Sequence, residues 1–275
     1  SNTAPDVLEL GSDWVAQFSS AGVLSEIKKS DANINKFLKF SQQPCFWNNK
    51  IYALPWIVDT RVLFVNMDLL KANGYENPPK TYDEMLNMSK EINNNGKFGF
   101  GVNGSDKHRL YKKILSFIWS EGGTIYNGKK FTFDTPQVIS GVEKYKELAK
   151  YGIVDTQKEL DNYFANGQLA FWISGSWLLK KVEDFGKVED MRLVEIPDFT
   201  QKGISFAGGE YISINKKSEN QKLALKFVKF LTDGKNSVEF CRNIPEAGFP
   251  AVKHSSPSYY SLLLYLPVFL FLLYS

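Results

Sequence analysis

The sequence predicts an α/β protein, and three observations predict it. Amphipathic helical stripes alternate with short apolar runs along most of the chain, the pattern of helices packed on sheets. The 275 residues are 43% hydrophobic and 23% charged, which supplies core for one large or two ordinary domains. Between residues 51 and 68, two strand-like segments, Ile51–Leu54 and Val62–Asn66, are separated by Pro55 and a polar Asp59-Thr60-Arg61 break. Proline in such a run points to a sheet edge or a crossing point rather than a sheet centre. The stretch therefore reads as a chain leaving one sheet and entering another, a hinge between domains.

The elements follow in order. Val7–Leu10 reads as a strand ending at Gly11. Ser12 or Asp13 then caps a helix from Trp14 to Ala21, stopped by Gly22. Ile34, Phe37 and Leu38 suggest a helix over Asn33–Phe40. After the Asn77-Pro78-Pro79 breaker, Thr81 and Glu84 form a capping box, with Met85, Met88 and Ile92 as the stripe behind it. Phe98–Val102 reads as a strand, Lys107–Ser120 as a helix and Phe131–Phe133 as a short strand. Asp134-Thr135-Pro136 starts a helix carrying Val138, Val142, Tyr145 and Ala149. Leu160–Ala165 is helical, Leu169–Ile173 a buried strand, Gly175-Ser176 a helix start and Arg192–Ile196 a strand. Phe206–Ile214 is strand-like but interrupted by Gly208-Gly209. Ser218 to Gln221 is a second capping box, before a helix with Leu223, Phe227, Val228 and Leu231 on one face. A last helix runs from Asp233-Gly234 to about Asn243. No internal repeat is visible.

The two ends stand apart. Ser1-Asn2 reads as a cloning remnant, and no signal peptide follows it. From Tyr259 to Ser275 the chain carries no charge and is mostly Leu, Phe and Tyr, with Pro267 inside the run. A bilayer span wants roughly 20 apolar residues. Of a membrane anchor, a buried core segment and an unnatural tail from a truncated or shifted reading frame, the abrupt change and the missing basic stop signal favour the last.

Composition removes several function classes. A net charge of +3 with scattered Lys and Arg gives no nucleic-acid footprint. Cys45 and Cys241, the two cysteines, lie far apart with no CxxC, and with only two histidines this spacing argues against a zinc site; whether the cysteines pair is left open. Gly99, Gly101 and Gly104 match GxGxxG, but the polar run before them is no buried strand, so a glycine-rich strand end is the better reading. Ser174 and Ser176 lack the glycine spacing of a nucleophile elbow. A glycosidase pair among Asp13, Asp59 and Glu210 is conceivable, yet nothing marks one as a proton donor. Asn87 and Asn103 fit the glycosylation sequon by pattern alone.

What remains is an aromatic-plus-polar set at strand ends. The chain has six Trp, 13 Tyr and 21 Phe, enough both for a large core and for a surface that grips flat apolar faces. Asp13 and Trp14 follow the first strand, and Asp59 and Arg61 lie at the polar break. Trp177 sits inside the Gly175-Ser176 turn, and Gly208, Gly209 and Glu210 interrupt a later strand. A sugar ring offers an apolar face for an indole and a rim of hydroxyls for carboxylates and guanidinium groups. Taken singly, each residue has a plainer reading: core tryptophans, Asp13 as a helix cap, Asp59–Arg61 as a local ion pair. Their joint placement favours carbohydrate.

These residues resemble the family 1 extracellular solute-binding proteins of bacterial ABC sugar importers, relatives of maltose-binding protein. The resemblance is carried by the stretch from Ala4 to Leu24, by Tyr52 to Pro55 with Asp59 to Asn66, and by Pro79 to Glu84. It continues through Phe164 to Gly167 with Ile173 to Trp177, Ala207 to Asn215, Lys226 to Thr232 and Gly248 to Ala251. It implies a two-lobe, type II periplasmic-binding-protein-like fold: lobe 1 from residues 3–57 and 211–254, lobe 2 from 58–210, and an atypical apolar tail over 255–275. It implies that the lobes close over a sugar or oligosaccharide, with ligand contacts from Asp13, Trp14, Asp59, Arg61, Trp177, Gly208, Gly209 and Glu210, and with Trp119 as a wall residue. It further implies a monomer outside the cytoplasm, periplasmic or lipid-anchored, that delivers its carbohydrate to ABC importer membrane subunits. No catalysis, cofactor, metal or nucleic-acid partner belongs to that reading. The family has a strand, a helix and a targeting region before this chain's start, and helices after its Gly248–Ala251 motif, so an incomplete receptor with weakened affinity is expected. The alternatives are a receptor for a polyol or sugar phosphate and, in a different class, a glycoside hydrolase.

Overall fold

The structure is a computed structural model that describes residues 4–253. The atypical tail and the leading Ser1-Asn2 lie outside the described residues. In chain order the strands are β1 (Val7–Gly11), β2 (Phe46–Trp47), β3 (Lys50–Ile51), β4 (Ala53–Thr60), β5 (Val62–Asn66), β6 (Phe98–Val102), β7 (Gly152–Val154), β8 (Leu169–Ser174), β9 (Met191–Val194), β10 (Ala207–Ile214) and β11 (Phe249–Pro250). Helices alternate with them, so the architecture is α/β as expected. The chain divides into two compact units: residues 4–60 with 207–253, and Arg61–Phe206.

The first unit is built on an antiparallel sheet in the order β1-β10-β4-β11. Strands β4 and β5 belong to different sheets, and Arg61 alone separates them, so the polar break is shorter than expected. Pro55 does not mark a sheet edge. It lies within β4, which pairs with β10 on one side and β11 on the other. The ladder tolerates it because the register slips there: Glu210 faces Ile57, Tyr211 faces Pro55, and Trp56 is the extra residue of the bulge. Nor is β10 interrupted, since Gly208 and Gly209 pair with Asp59 and Val58 inside one continuous strand. The core is formed by Val15, Phe37, Leu54, Val58, Ile212 and Val228, all essentially inaccessible. Cys45 and Cys241 are both buried thiols not joined to each other, and burial pushes the Cys45 thiol pKa up.

Three further local expectations fail in this unit. The helix expected over Asn33–Phe40 is broken into Ile34–Lys36 and Lys39–Gln42, because Phe37 is extended and bridges Val252. The second capping box does not form. Asn220 is the N-cap without a side-chain bond, while Ser218 donates to Asp6 and Gln221 donates to the Asn215 carbonyl. The helix Gln221–Leu231 buries Ala224 and Val228, leaving Leu223 and Phe227 66% and 48% exposed, so its buried face is narrower than the apolar stripe.

The second unit holds a mixed sheet in the order β7-β6-β8-β5-β9. Strand β6 runs parallel to β7 and β8, and β5 runs antiparallel to β8 and β9. Leu63, Val65, Phe100, Phe171 and Ile173 pack from the sheet against Met85, Phe117, Tyr145 and Leu148 from helices. Phe117 and Tyr145 meet edge to face at 5.1 Å and 88°. The Thr81–Glu84 capping box forms both its bonds at the start of Tyr82–Ile92. The GxGxxG glycines serve packing. A Cβ on Gly99 would lie 2.4 Å from the Ser89 carbonyl oxygen, so glycine lets β6 approach that helix. Phe131–Phe133 is not a strand: Phe131 makes a single bridge to Tyr126. Asn103 is wholly buried, which removes it as a glycosylation acceptor. Among the described residues, no helix is long and apolar enough to cross a membrane.

Candidate functional site

In the first unit, sheet register positions the polar side chains. Gly11 pairs with Glu210, Glu210 with Ile57, and Gly208 with Asp59. Paired residues share a face, and residues two apart on a strand share it again. Asp59 and Glu210 therefore leave the same face of the sheet, with Gly11 and Gly208 between and beside them. Glycine keeps that floor low. A Cβ on Gly11 would sit 2.9 Å from Asp13 Oδ1, 3.5 Å from Trp14 Cδ1 and 3.8 Å from Glu210 Oε2. Asp13, Trp14 and Glu210 thus converge over Gly11, within one unit and around one strand end.

Asp13 is not the cap of its helix. The helix Ser12–Ser20 has Gly11 as N-cap, with no side-chain cap bond, and Asp13 lies in its first turn, where a carboxylate suits the helix dipole. Trp14 is 40% exposed and touches Phe18 at 5.9 Å between ring centroids. On the opposite face Tyr211 is buried. Its phenol pKa is raised first by that burial and further by the nearby Glu210 and Asp59 carboxylates. Gly209 permits close strand contact: a Cβ there would lie 2.2 Å from the Ile57 carbonyl oxygen.

In the second unit, a side-chain network does the placing. Trp177 opens the helix Trp177–Phe185 directly after β8 and is half-buried. The Arg61 guanidinium carbon lies 4.6 Å from the centroid of its ring, a cation–π contact. Arg61 is only 7% exposed, and its backbone N–H donates to the Phe206 carbonyl at 3.2 Å and to Ser205 Oγ at 3.1 Å. The indole Nε1–H of Trp177 donates to Asp161 Oδ2 at 3.1 Å. Asp161 Oδ1 accepts from Trp172 Nε1 at 2.7 Å, Gln157 Nε2 at 2.9 Å and Ser174 Oγ at 3.2 Å. The Lys113 ammonium lies 5.0 Å from the Trp172 ring centroid.

Trp119 belongs to a second aromatic group in this unit. It stacks on Phe206 at 6.2 Å with ring planes 7° apart, and Tyr111 meets Phe206 edge to face. The structure thus joins Arg61 to Trp177, and places Trp119 with Phe206 instead. Asp161, Trp172 and Phe206 escaped sequence reasoning. An acidic residue in a helix reads as solvated surface and a tryptophan in a buried strand as core. Only Phe206, an aromatic immediately before Ala207-Gly208, carried a usable signal. Among the described residues, no group of three or more His, Cys, Asp or Glu side chains is arranged to hold a metal ion.

A family model for bacterial extracellular solute-binding proteins matches residues 1–258. The galactooligosaccharide-binding protein of Bacillus subtilis (strain 168) is 28% identical over 269 residues, covering 91% of this chain and 61% of the Bacillus protein. A maltooligosaccharide ABC transporter solute-binding lipoprotein of Streptococcus pneumoniae is 26% identical over 251 residues, covering 84% of this chain and 56% of that protein. The chain therefore spans about three fifths of the length of these curated relatives. A solute-binding protein of an ABC transporter from Thermotoga lettingae TMO, crystallised with α-D-tagatose, superposes with a TM-score of 0.86 at 22% identity. That match covers 97% of this chain and 72% of the Thermotoga chain, and it establishes a shared fold.

Proposed function

The chain belongs to the family of bacterial extracellular solute-binding proteins, and from that premise we propose that it is an extracytoplasmic receptor that delivers a sugar or oligosaccharide to an ABC importer. The observation that carries the reading is the treatment of Trp177. Its ring is half-buried and held by Arg61 on a face and Asp161 at its edge, the way a stacking platform is built rather than a core filler. An indole face takes the apolar side of a pyranose, and the burial of flat apolar area supplies most of the attraction. In the first unit Asp13, Asp59 and Glu210 accept hydroxyl hydrogen bonds, Trp14 adds apolar wall and Gly208 lets backbone come close, while Gly209 serves strand packing; in the second unit Trp119 adds further apolar wall. The named relatives for galacto- and maltooligosaccharides support carbohydrate over other solutes. Three carboxylates gathered on one face of the first unit repel a phosphate, which disfavours a sugar phosphate as ligand.

Ligand binding stabilises the ligand-competent state of the receptor, which then engages the importer's membrane subunits as a monomer. The carboxylates serve as hydrogen-bond acceptors, so a panel of aryl glycosides releases no product. The test is intrinsic tryptophan fluorescence titrated with mono- and oligosaccharides. A saturable change with one sugar class is expected. Trp177→Ala weakens that binding at least about thirtyfold, the scale of a buried aromatic hot spot, while the variant still melts cooperatively. A cooperatively melting protein that responds to no sugar overturns the reading, and unchanged affinity in Trp177→Ala removes that residue from the site.

A further inference from the structure

We propose that Asp161 is a positioning residue for carbohydrate binding: it fixes the pose of the Trp177 ring and thereby sets affinity without touching the ligand. The inference rests on the receptor reading above and adds to it the residue that makes the stacking platform rigid. Asp161 lies on the helix Gln157–Ala165 and is 5% exposed. A buried carboxylate must be supplied with donors, and this one receives four. Three of them, from Trp172, Gln157 and Ser174, converge on Oδ1. These join the helix to β8 and account for a structural role on their own. The fourth differs, because Oδ2 accepts from the Trp177 indole N–H at 3.1 Å.

Two further contacts fix the same ring. A Cβ on Gly175 would lie 2.1 Å from Trp177 Cζ3 and 2.5 Å from Cη2, so the six-membered ring lies where only glycine leaves room. The Arg61 guanidinium covers one face at 4.6 Å. The χ2 torsion of a tryptophan is otherwise broad, and a ring free to turn about it presents its face to a sugar only part of the time. Tying Nε1 to a buried anion removes that freedom before ligand arrives, so less order has to be gained on binding. It also occupies the indole N–H, and Trp177 then meets the ligand through its face alone.

The division of labour between the two oxygens makes the substitution selective. In Asp161→Asn, the amide oxygen keeps the three bonds now made to Oδ1, while the amide NH2 faces the Trp177 N–H, donor against donor. The expected result is a retained cooperative melt with sugar Kd raised about tenfold or more, the loss associated with one hydrogen bond to a charged group. In a Trp177→Phe background there is no indole N–H to hold, so Asp161→Asn changes Kd less than about twofold. A tenfold loss of affinity in that background as well, or full affinity in Asp161→Asn alone, overturns the positioning role. The Trp177 indole N–H resonance, identified by its disappearance in Trp177→Phe, gives a readout that needs no ligand. It is expected to move in Asp161→Asn, and an unchanged resonance overturns the proposal. Failure of wild-type protein to bind any sugar strikes the receptor reading and leaves this resonance to decide the role of Asp161.

Discussion

The two units position the side chains proposed to meet the ligand by different physical means. In the first, strand register does it: Glu210 stands between Gly11 and Ile57, and Asp59 stands opposite Gly208. Backbone pairing fixes where those carboxylates emerge, and glycines keep the surface around them clear. In the second, the backbone delivers Trp177 only to the start of a helix, and Asp161, Arg61 and Gly175 fix its ring. A register-built site depends on the integrity of the sheet, whereas a network-built site depends on individual buried side chains. Substitutions that attack each device should therefore fail in distinguishable ways.

The largest effect is expected at Trp172. It is completely buried in β8 and donates the shortest bond to Asp161, at 2.7 Å. Trp172→Ala loses a large apolar volume and leaves a cavity, costing about 3–5 kcal/mol. Chemical denaturation should show that loss, and sugar affinity should fall in the fraction that remains folded. Retained affinity would mean that the Trp177 platform does not need the Trp172 bond to Asp161. The matching change in the first unit is Gly209→Ala. The new methyl meets the Ile57 carbonyl oxygen at 2.2 Å, so β10 and β4 must part or twist. A cost of about 1–3 kcal/mol is expected, as for overpacking elsewhere, and amide exchange should quicken along β10 and β4 rather than in the second unit.

This contrast also explains what could be read from the sequence. The α/β alternation, the strands Val7–Gly11, Phe98–Val102 and Leu169–Ser174, and the Thr81–Glu84 cap are local patterns, and they appear where the pattern put them. The convergence of Asp13, Trp14 and Glu210 over Gly11 was partly visible, because strand ends flanked by glycine are marked in sequence. Asp161 was not visible. Nothing local separates it from a solvated helix carboxylate, and its partners Trp172 and Trp177 lie 11 and 16 positions away. The same limit explains Pro55: its tolerance within an inner strand depends on a bulge formed against Tyr211, far along the chain.

A smaller and pH-dependent effect probes the ionic part of the second unit. Glu121 ends the helix that carries Trp119 and is 7% exposed. Burial alone raises its pKa, but the Lys144 ion pair at 2.8 Å and the hydroxyls of Ser140 and Thr200 outweigh it and hold the carboxyl below its ordinary 4.5. A carboxyl depressed in the folded state contributes stability that is full above 4.5 and is lost as pH falls below it, because the unfolded chain takes up the proton first. Glu121→Gln should flatten that part of the acid limb in a series of thermal melts. The acid limb keeping its full slope in the variant would show that other carboxylates carry it.

The smallest effect is expected where the first unit departs most from its apolar pattern. In the helix Gln221–Leu231, Ala224 and Val228 are buried while Phe230 is 57% exposed. An exposed ring has little area left to lose, so Phe230→Ser should shift stability by no more than about 0.5 kcal/mol. The comparison with Val228 sharpens this. Val228 is fully buried on the same helix, and Val228→Ala removes buried carbon and leaves a void, a loss of more than 1 kcal/mol at about 0.8 kcal/mol per buried methylene plus the cavity. Paired denaturation curves for the two variants measure how far the helix's buried face extends. Equal losses would mean that Phe230 is covered in solution, and that this helix buries more of its surface than the exposure of Phe230 among the described residues indicates.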